Sequence, residues 1–452
     1  MSKAAVSPST GPKTDAHEHL HDGHLHECHD CGLVQAVPDG PHGGVAKCSR
    51  CEAVLRRYRD DPINPPLAYA LTGLVLLTLA VSLPFLSFSL EGAVSRANLL
   101  SGVSKLFRLE MYELSGLVLL TIFLAPLALM SLVTYAMLGL KYGWNLPGLV
   151  HAFRLVGPVK PWGMIEVFLL GLMVAYVKLA DLADMNMGLA VLALAALMFV
   201  TDSLRVSLDH AEGWHVFVAR GLLPPGREAM AAPMVGCETC GLVNEADKNE
   251  ECGRCGAPLV HRKADSLSRT LALCLAGVIL YVPANAFPVM TIISFGKSYP
   301  STILGGVEEL MTGGMWPLAL LVFFASITVP MLKLIGLLFL LFLTWRRSAW
   351  RLKERTQLYR IIEGVGRWSM IDVFAVSILV SLVQLGAIAT ILPGLGASCF
   401  AAVVVVTMIA ASSFDPRLMW DRAGQGDPWT VPEGAHGDAL QSDVAFGKIA
   451  GD

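Results

Sequence analysis

Eight cysteines fall into four Cys-x-x-Cys pairs: Cys28 with Cys31, Cys48 with Cys51, Cys237 with Cys240, and Cys252 with Cys255. Such a pair presents two thiolates from one tight turn, and two facing turns close a tetrahedral four-thiolate site. The spacing predicts two zinc ribbons, at residues 28–60 and 228–262. Four protein thiolates leave no open coordination position, so the Zn2+ expected in each is structural. The competing reading is a disulfide framework, which needs an oxidising compartment. Cys274 and Cys399 lie inside apolar runs and read as small apolar residues. Ahead of the first pair, His17, His19, His21, His24 and His26 make residues 1–27 a His-rich tail, expected to be disordered; weak metal collection is the other reading.

The second set of chemically capable residues is charged or polar and sits within apolar runs. An ionised side chain at mid-membrane depth costs about 3 kcal/mol on insertion scales, so each is a functional candidate. Lys178 and Asp181 lie three apart and share a helix face. Lys333 follows Pro330 by three residues, and Glu166 and Asp372 open two apolar runs. Ser326, Ser369 and Thr407 add polar groups inside such runs. Each has a plainer reading. Lys178 and Asp181 reach one membrane interface and Lys333 the other; Glu166 and Asp372 cap helix N-termini.

These residues are carried on apolar segments that dominate the chain. The sequence is 54% hydrophobic and only 16% charged over 452 residues, with mean hydropathy +0.57. That composition excludes a set of soluble domains and predicts a polytopic membrane protein. The polar start predicts no cleavable signal peptide.

The chain also repeats itself. Trp162-Gly163-Met164-Ile165-Glu166-Val167-Phe168 recurs as Trp368-Ser369-Met370-Ile371-Asp372-Val373-Phe374, 206 positions later. The same offset carries Ser207-Leu208-Asp209 onto Ser413-Phe414-Asp415 and Trp214 onto Trp420. The expected fold is all-α: a tandem repeat of two four-helix transmembrane units, each preceded by a ribbon. The first unit, 61–215, has spans near 67–86, 114–140, 163–182 and 187–206. The second, 263–423, has spans near 267–290, 315–343, 370–392 and 395–411. Residues 99–113 and 303–312 read as interfacial amphipathic segments. Pro126 and Pro330 predict a kink in both second spans. Residues 424–452 read as a disordered tail.

Lys and Arg cluster before the first span, between the second and third, around the second ribbon and after the sixth. The opposite loops are poor in them, so both termini and both ribbons are expected in the cytoplasm. The halves differ in charge: the 206 offset sets Lys178 on Gln384 and Asp181 on Ala387, and aligning the prolines sets Lys333 on Leu129. No phosphate-binding Gly-x-x-x-x-Gly-Lys-[Ser/Thr] loop and no His-Glu-x-x-His occurs, which argues against an ATPase or a zincin.

Two four-cysteine ribbons, each ahead of four spans that carry the repeated Trp-x-Met-Ile-[Glu/Asp]-Val-Phe motif, resemble the paraquat-inducible protein A family. The resemblance covers about residues 28–423. It implies a multi-pass protein of the bacterial inner membrane, not an enzyme, with tetraspanin-like four-helix units. It also implies a periplasmic MCE-domain tunnel protein as partner, with phospholipid passed between membrane and tunnel. On that reading a cleft between the halves opens to the outer leaflet, and Lys178 draws a headgroup phosphate. Asp181, Ser326, Lys333, Ser369, Asp372 and Thr407 form a polar network that could couple transport to protons, with Glu166, Pro126 and Pro330 shaping the gate. Three other classes stay open: a small-solute or ion transporter, a scaffold that only anchors the tunnel, and a zinc enzyme, which four-thiolate sites disfavour.

Overall fold

The computed structural model of the chain describes residues 24–37, 43–90, 93–144, 146–180, 184–226, 234–245, 251–294, 297–383, 389–425 and 446–448. The chain opens with two hairpins, β1 (His24–Glu27) with β2 (Val34–Val37) and β3 (Gly44–Lys47) with β4 (Val54–Arg57). The first ribbon therefore starts at His24, ahead of the boundary expected at Cys28, because His24 to Glu27 pair in register with Val37 to Val34. The rest of the His-rich tail lies outside the described residues.

The first half then runs α1 (Asn64–Ser82), β5 (Pro84–Leu90), β6 (Ala93–Asn98), α2 (Ser101–Arg108), α3 (Tyr112–Leu119), α4 (Ala125–Tyr142), α5 (Leu149–Val159), α6 (Ile165–Ala180), β7 (Asp184–Met187), α7 (Leu189–Ser207) and α8 (His210–Ala219). The second ribbon carries β8 (Met234–Gly236) and β9 (Val243–Glu245). The order recurs as α9 (Ser266–Ala286), β10 (Met290–Ser294), β11 (Lys297–Ser301), α10 (Ile303–Thr312), α11 (Trp316–Phe323), α12 (Val329–Trp345), α13 (Leu352–Val365), α14 (Ile371–Leu382), β12 (Ala389–Pro393), α15 (Leu395–Ser413) and α16 (Arg417–Arg422). A final strand, β13 (Phe446–Lys448), pairs with β3, so the segment after 424 carries a strand where none was expected.

One correction to the expected all-α architecture follows, and one observation bears on its eight spans. First, the ends of the helices away from the ribbons carry two three-stranded antiparallel sheets, β6-β5-β7 and β11-β10-β12. Proline causes the switch. The residue before a proline is pushed to extended backbone, and Leu83 and Phe287 are extended, at φ −96, ψ 147 and φ −88, ψ 152. The chain then leaves the helix at Pro84 and Pro288. Gly188 and Gly394 press against the backbone of Pro84 and Pro288, where a Cβ would collide with a carbonyl oxygen. The expected ends of the first, fifth and seventh spans are thus strand.

Second, among the described residues seven helical runs are long and apolar enough to cross a membrane. The expected third span, α6, has 16 residues and is about 24 Å long, short of a hydrocarbon core of about 30 Å. Its counterpart α14 qualifies only as the end of the helical path Leu352–Leu382. Both can be short because they are central. α6 packs along α14, and the equivalent residues Phe168 and Phe374 meet edge to face at 5.7 Å. The outer helices α1, α7, α9 and α12 expose Val75, Phe199, Ile279 and Leu332, as lipid-facing surfaces do.

At Pro126 and Pro330, where a kink was expected, the helices carry a wider turn. α3 joins α4, and α11 joins α12, through one π-helical turn each, Leu120–Leu124 and Phe324–Thr328. Proline cannot donate to the carbonyl four residues back, and the extra residue per turn relieves that clash. Two carbonyls of these turns accept from outside their own helix. Thr121 O accepts from Met164 N at 3.3 Å, and Ile327 O accepts from the Tyr281 hydroxyl at 3.3 Å.

Candidate functional site

The eight ribbon cysteines gather into two buried clusters, each with four sulfurs within 4.8 Å of one another. Cys28 and Cys51 Sγ lie 3.5 Å apart and Cys31 and Cys48 Sγ 3.6 Å; in the second ribbon the distances are 3.6 and 3.5 Å. A disulfide holds sulfurs about 2.05 Å apart. A tetrahedral ion bonded to four thiolates at about 2.3 Å spaces them about 3.8 Å apart. The spacing therefore fits metal ligation. Gly32 and Gly241 end the first turn of each ribbon at φ +72 and +75, left-handed values that favour glycine. Cys28 drives the Cys31 thiol up and the Cys48 thiol down, as when negative charge is shared within one cluster. A central cation would neutralise it.

The ribbons dock crosswise. The first ribbon's cysteines share a core with Leu334, Tyr359 and Trp420 of the second half. The second ribbon's cysteines join the core that holds Phe153 and Trp214 of the first half. Arg360 donates to Cys51 O at 3.1 Å and pairs with Asp30 at 2.5 Å. Arg154, 206 positions earlier, donates to Cys255 O. The Asp209 and Asp415 carboxylates tie each ribbon linker to its own half, accepting from Arg57 N at 3.0 Å and Lys263 N at 3.1 Å. Burial alone would raise Asp415; its bond to Arg417 overcomes that and holds it below the usual carboxylate range.

Four of the sequence candidates come from contacting elements of the second half. Lys333 sits on α12, Ser326 in the π turn, Ser369 in the 3-10 turn Gly366–Met370 and Thr407 on α15. All four are at most 2% exposed. Lys333 Nζ donates to Thr407 Oγ1 at 3.1 Å. Gly366 makes room for it: a Cβ there would stand 2.8 Å from Nζ. Among the described residues, the buried Ser326 and Ser369 hydroxyls have no hydrogen-bond partner. The first half offers Ile122, Leu129, Gly163 and Thr201 at the equivalent places.

The remaining candidates lie elsewhere. Asp372 is in the first turn of α14 beside a void of only about 40 Å³. Glu166 pairs with Arg205 at 2.8 Å, and Ala411 occupies the position equivalent to Arg205. Lys178 is in the last turn of α6, and Asp181 lies outside the described residues.

The cleft expected at the sheet-bearing end borders on residues 181–183 and 384–388, outside the described ones. A cavity of about 840 Å³ opens at the ribbon end between the halves. It reaches from β4 and the α5–α6 connection to Lys333. Sequence reasoning missed its cations Arg57, Lys160 and Arg205, because nothing in their spacing sets them on one wall. The Arg154–Arg360 pair could have been found from the 206 offset.

The paraquat-inducible protein A family model matches the chain twice, at residues 63–217 and 267–424. This chain belongs to that family. It is 35% identical over 423 residues to the intermembrane transport protein PqiA of Escherichia coli K12, covering 91% of this chain and 99% of that one. It is 31% identical over 411 residues to the lipophilic envelope-spanning tunnel protein A of the same organism, covering 91% and 94%. A probable intermembrane transport protein of Haemophilus influenzae is 28% identical over 406 residues, covering 87% and 95%. No solved structure matches. The two family matches coincide with the two helical halves and leave out both ribbons. The chain is a multi-pass membrane protein, and its relatives are named as transporters rather than enzymes.

Proposed function

We propose that this protein moves phospholipid between a bacterial inner membrane and a periplasm-spanning MCE-domain tunnel partner, with both ribbons in the cytoplasm. One observation carries the reading: in a helical membrane protein whose relatives are named for intermembrane transport, Lys333 is buried with a hydroxyl as its hydrogen-bond partner. An ammonium kept at that depth is costly and marks a ligand or ion path. Beside it, the buried Ser326 and Ser369 hydroxyls could serve a polar headgroup. Lys178 and Asp181 would act near the opposite face, Asp372 beside the central helices, and Glu166, Pro126 and Pro330 in the elements that move. With no nucleotide site evident, protons are the proposed energy source. Zn2+ is the metal that a buried, four-thiolate tetrahedral set suits best, and it would hold each ribbon in the shape that docks across the halves.

The test is lipid transfer in proteoliposomes carrying the tunnel partner. Lys333→Met keeps the volume and removes the charge. We expect normal abundance and about a tenfold or greater loss of transfer, the scale of losing one charge-assisted contact. Wild-type transfer by the variant would overturn the role of Lys333. Transfer unchanged by collapse of the proton gradient would overturn the coupling.

A further inference from the structure

The ribbon-end cavity gathers five cations, and the carboxylates near it are committed elsewhere or are not paired with three of them. Arg57, Lys160, Arg205, Lys333 and Arg360 line it, against Asp209 and Glu363. Arg205 is taken up by Glu166 and Asp202, and Arg360 by Asp30. Asp209 is turned to backbone amides, those of Arg57, Ala211 and Glu212. Among the described residues, no carboxylate pairs with Arg57, Lys160 or Lys333. Lys160 donates to the Arg205 carbonyl at 3.2 Å. Burial, then the nearby Arg205 charge, pulls the Lys160 ammonium below its ordinary value, so an anion beside it would be welcome.

The cavity also has depth and grease. Lys333 lies about 18 Å along α12 from the ribbon-side end of that helix, at Trp345, by the rise per residue. Lys333 is 2% exposed, and of its three donors one is used, on Thr407. Between rim and floor the walls include Val206, Leu208, Met408 and Ile409. A small anion alone has no use for such walls. An anion attached to an apolar chain has.

We propose that this chamber binds the phosphate of an anionic amphiphile, a phospholipid headgroup, with Arg57 and Lys160 at its rim and Lys333 at its floor. The proposal rests on the lipid-handling reading and adds to it an entry site on the ribbon side, at the end of the molecule opposite Lys178. The phosphate would gain charge-assisted hydrogen bonds from the rim cations on entry and from Lys333 at full depth, and the acyl chains would lie against the apolar walls at the ends of α7 and α15.

The test uses the purified full chain in an uncharged detergent and phosphatidylglycerol with a photoactivatable acyl chain. After irradiation, attached lipid is mapped by mass spectrometry. We expect label at the ribbon-side ends of α7 and α15. The double variant Arg57→Ala, Lys160→Ala keeps the buried core and should lower that label by about tenfold or more, the loss expected for two charge-assisted contacts. Equal labelling in wild type and double variant, or label confined to the outer faces of α1 and α9, would overturn the site. Inorganic phosphate that displaces the lipid at equal concentration would show a free-anion site and overturn the lipid assignment; failure to displace it supports the headgroup. Binding is read apart from transfer. Label here without transfer would sink the transport reading and leave the site standing, and transfer without label here would do the reverse.

Discussion

At the residue scale, two equivalent threonines separate packing from polar function. Thr407 and Thr201 lie 206 positions apart, and each is 1% exposed. Thr201 donates to the Leu197 carbonyl at 2.7 Å within its own helix. Thr407 donates to the Val404 carbonyl at 3.0 Å and also accepts from Lys333. Valine in place of Thr201 costs little, because that carbonyl stays in the helix ladder. Valine in place of Thr407 leaves a buried ammonium short of an acceptor, at about 1–3 kcal/mol. Thr407→Val should therefore melt several degrees below Thr201→Val in a thermal scan in detergent. Matching melting temperatures would mean that Thr407 does not hold Lys333. Glu166 and Asp372 make the same point about equivalence. Arg205 stands against the first and alanine occupies its place near the second, so one motif position serves two electrostatic settings.

At the element scale, the short segments after α7 and α15 decide how the ribbons sit. Asp209 and Asp415 hold equivalent places but unequal company. Asp209 caps α8 and takes Arg57 N. Asp415 is 1% exposed, takes Lys263 N and binds Arg417 at 3.0 Å. Losing a cap costs about 1 kcal/mol, whereas Asp415 gives up a buried charge-assisted contact to Arg417, which keeps Glu238 at 2.7 Å and Glu27 at 3.5 Å, at about 1.5–3 kcal/mol. Asp415→Asn should destabilise more than Asp209→Asn. The carboxyl of Asp415 is held below its unfolded value, so its stabilisation is present above about pH 4 and lost as pH falls further. Thermal melts from pH 7 down to pH 4 should keep the gap between Asp415→Asn and wild type, and melts below pH 4 should close it. A gap that shrinks already at pH 6 would contradict the assignment.

At the scale of the whole molecule, crossed docking ties the two halves together. Each ribbon sits in the core of the other half, clamped by Arg360 in one case and Arg154 in the other. The ribbons thus bridge the two halves, and the chamber between the halves is lined by β4 of the first ribbon. Loss of one metal cluster should loosen both halves. Cys28→Ser and Cys237→Ser are each expected to lower the amount of protein in the membrane more than the transfer per molecule that remains. Normal abundance with lost transfer in either variant would assign the ribbons to transport itself.

Much of this was legible in the chain. The Cys-x-x-Cys spacing announced two four-cysteine clusters able to hold metal, because four ligands from two tight turns leave few alternatives. The 206-residue offset announced the repeat, and the apolar runs announced the membrane, since both signals are carried by types and periods alone. The strands were half legible. Leu86, Phe88 and Leu90 alternate with Ser87 and Ser89, a period of two hidden at the end of a long apolar run. What only the tertiary structure decided is which distant residues share a space. Helix rotation sets Lys333 against Thr407 and gathers Arg57, Lys160 and Lys333 around one chamber. Sequence period fixes a face relative to its own axis, not relative to its neighbours. The crossing of the ribbons is decided the same way, by packing between segments hundreds of residues apart.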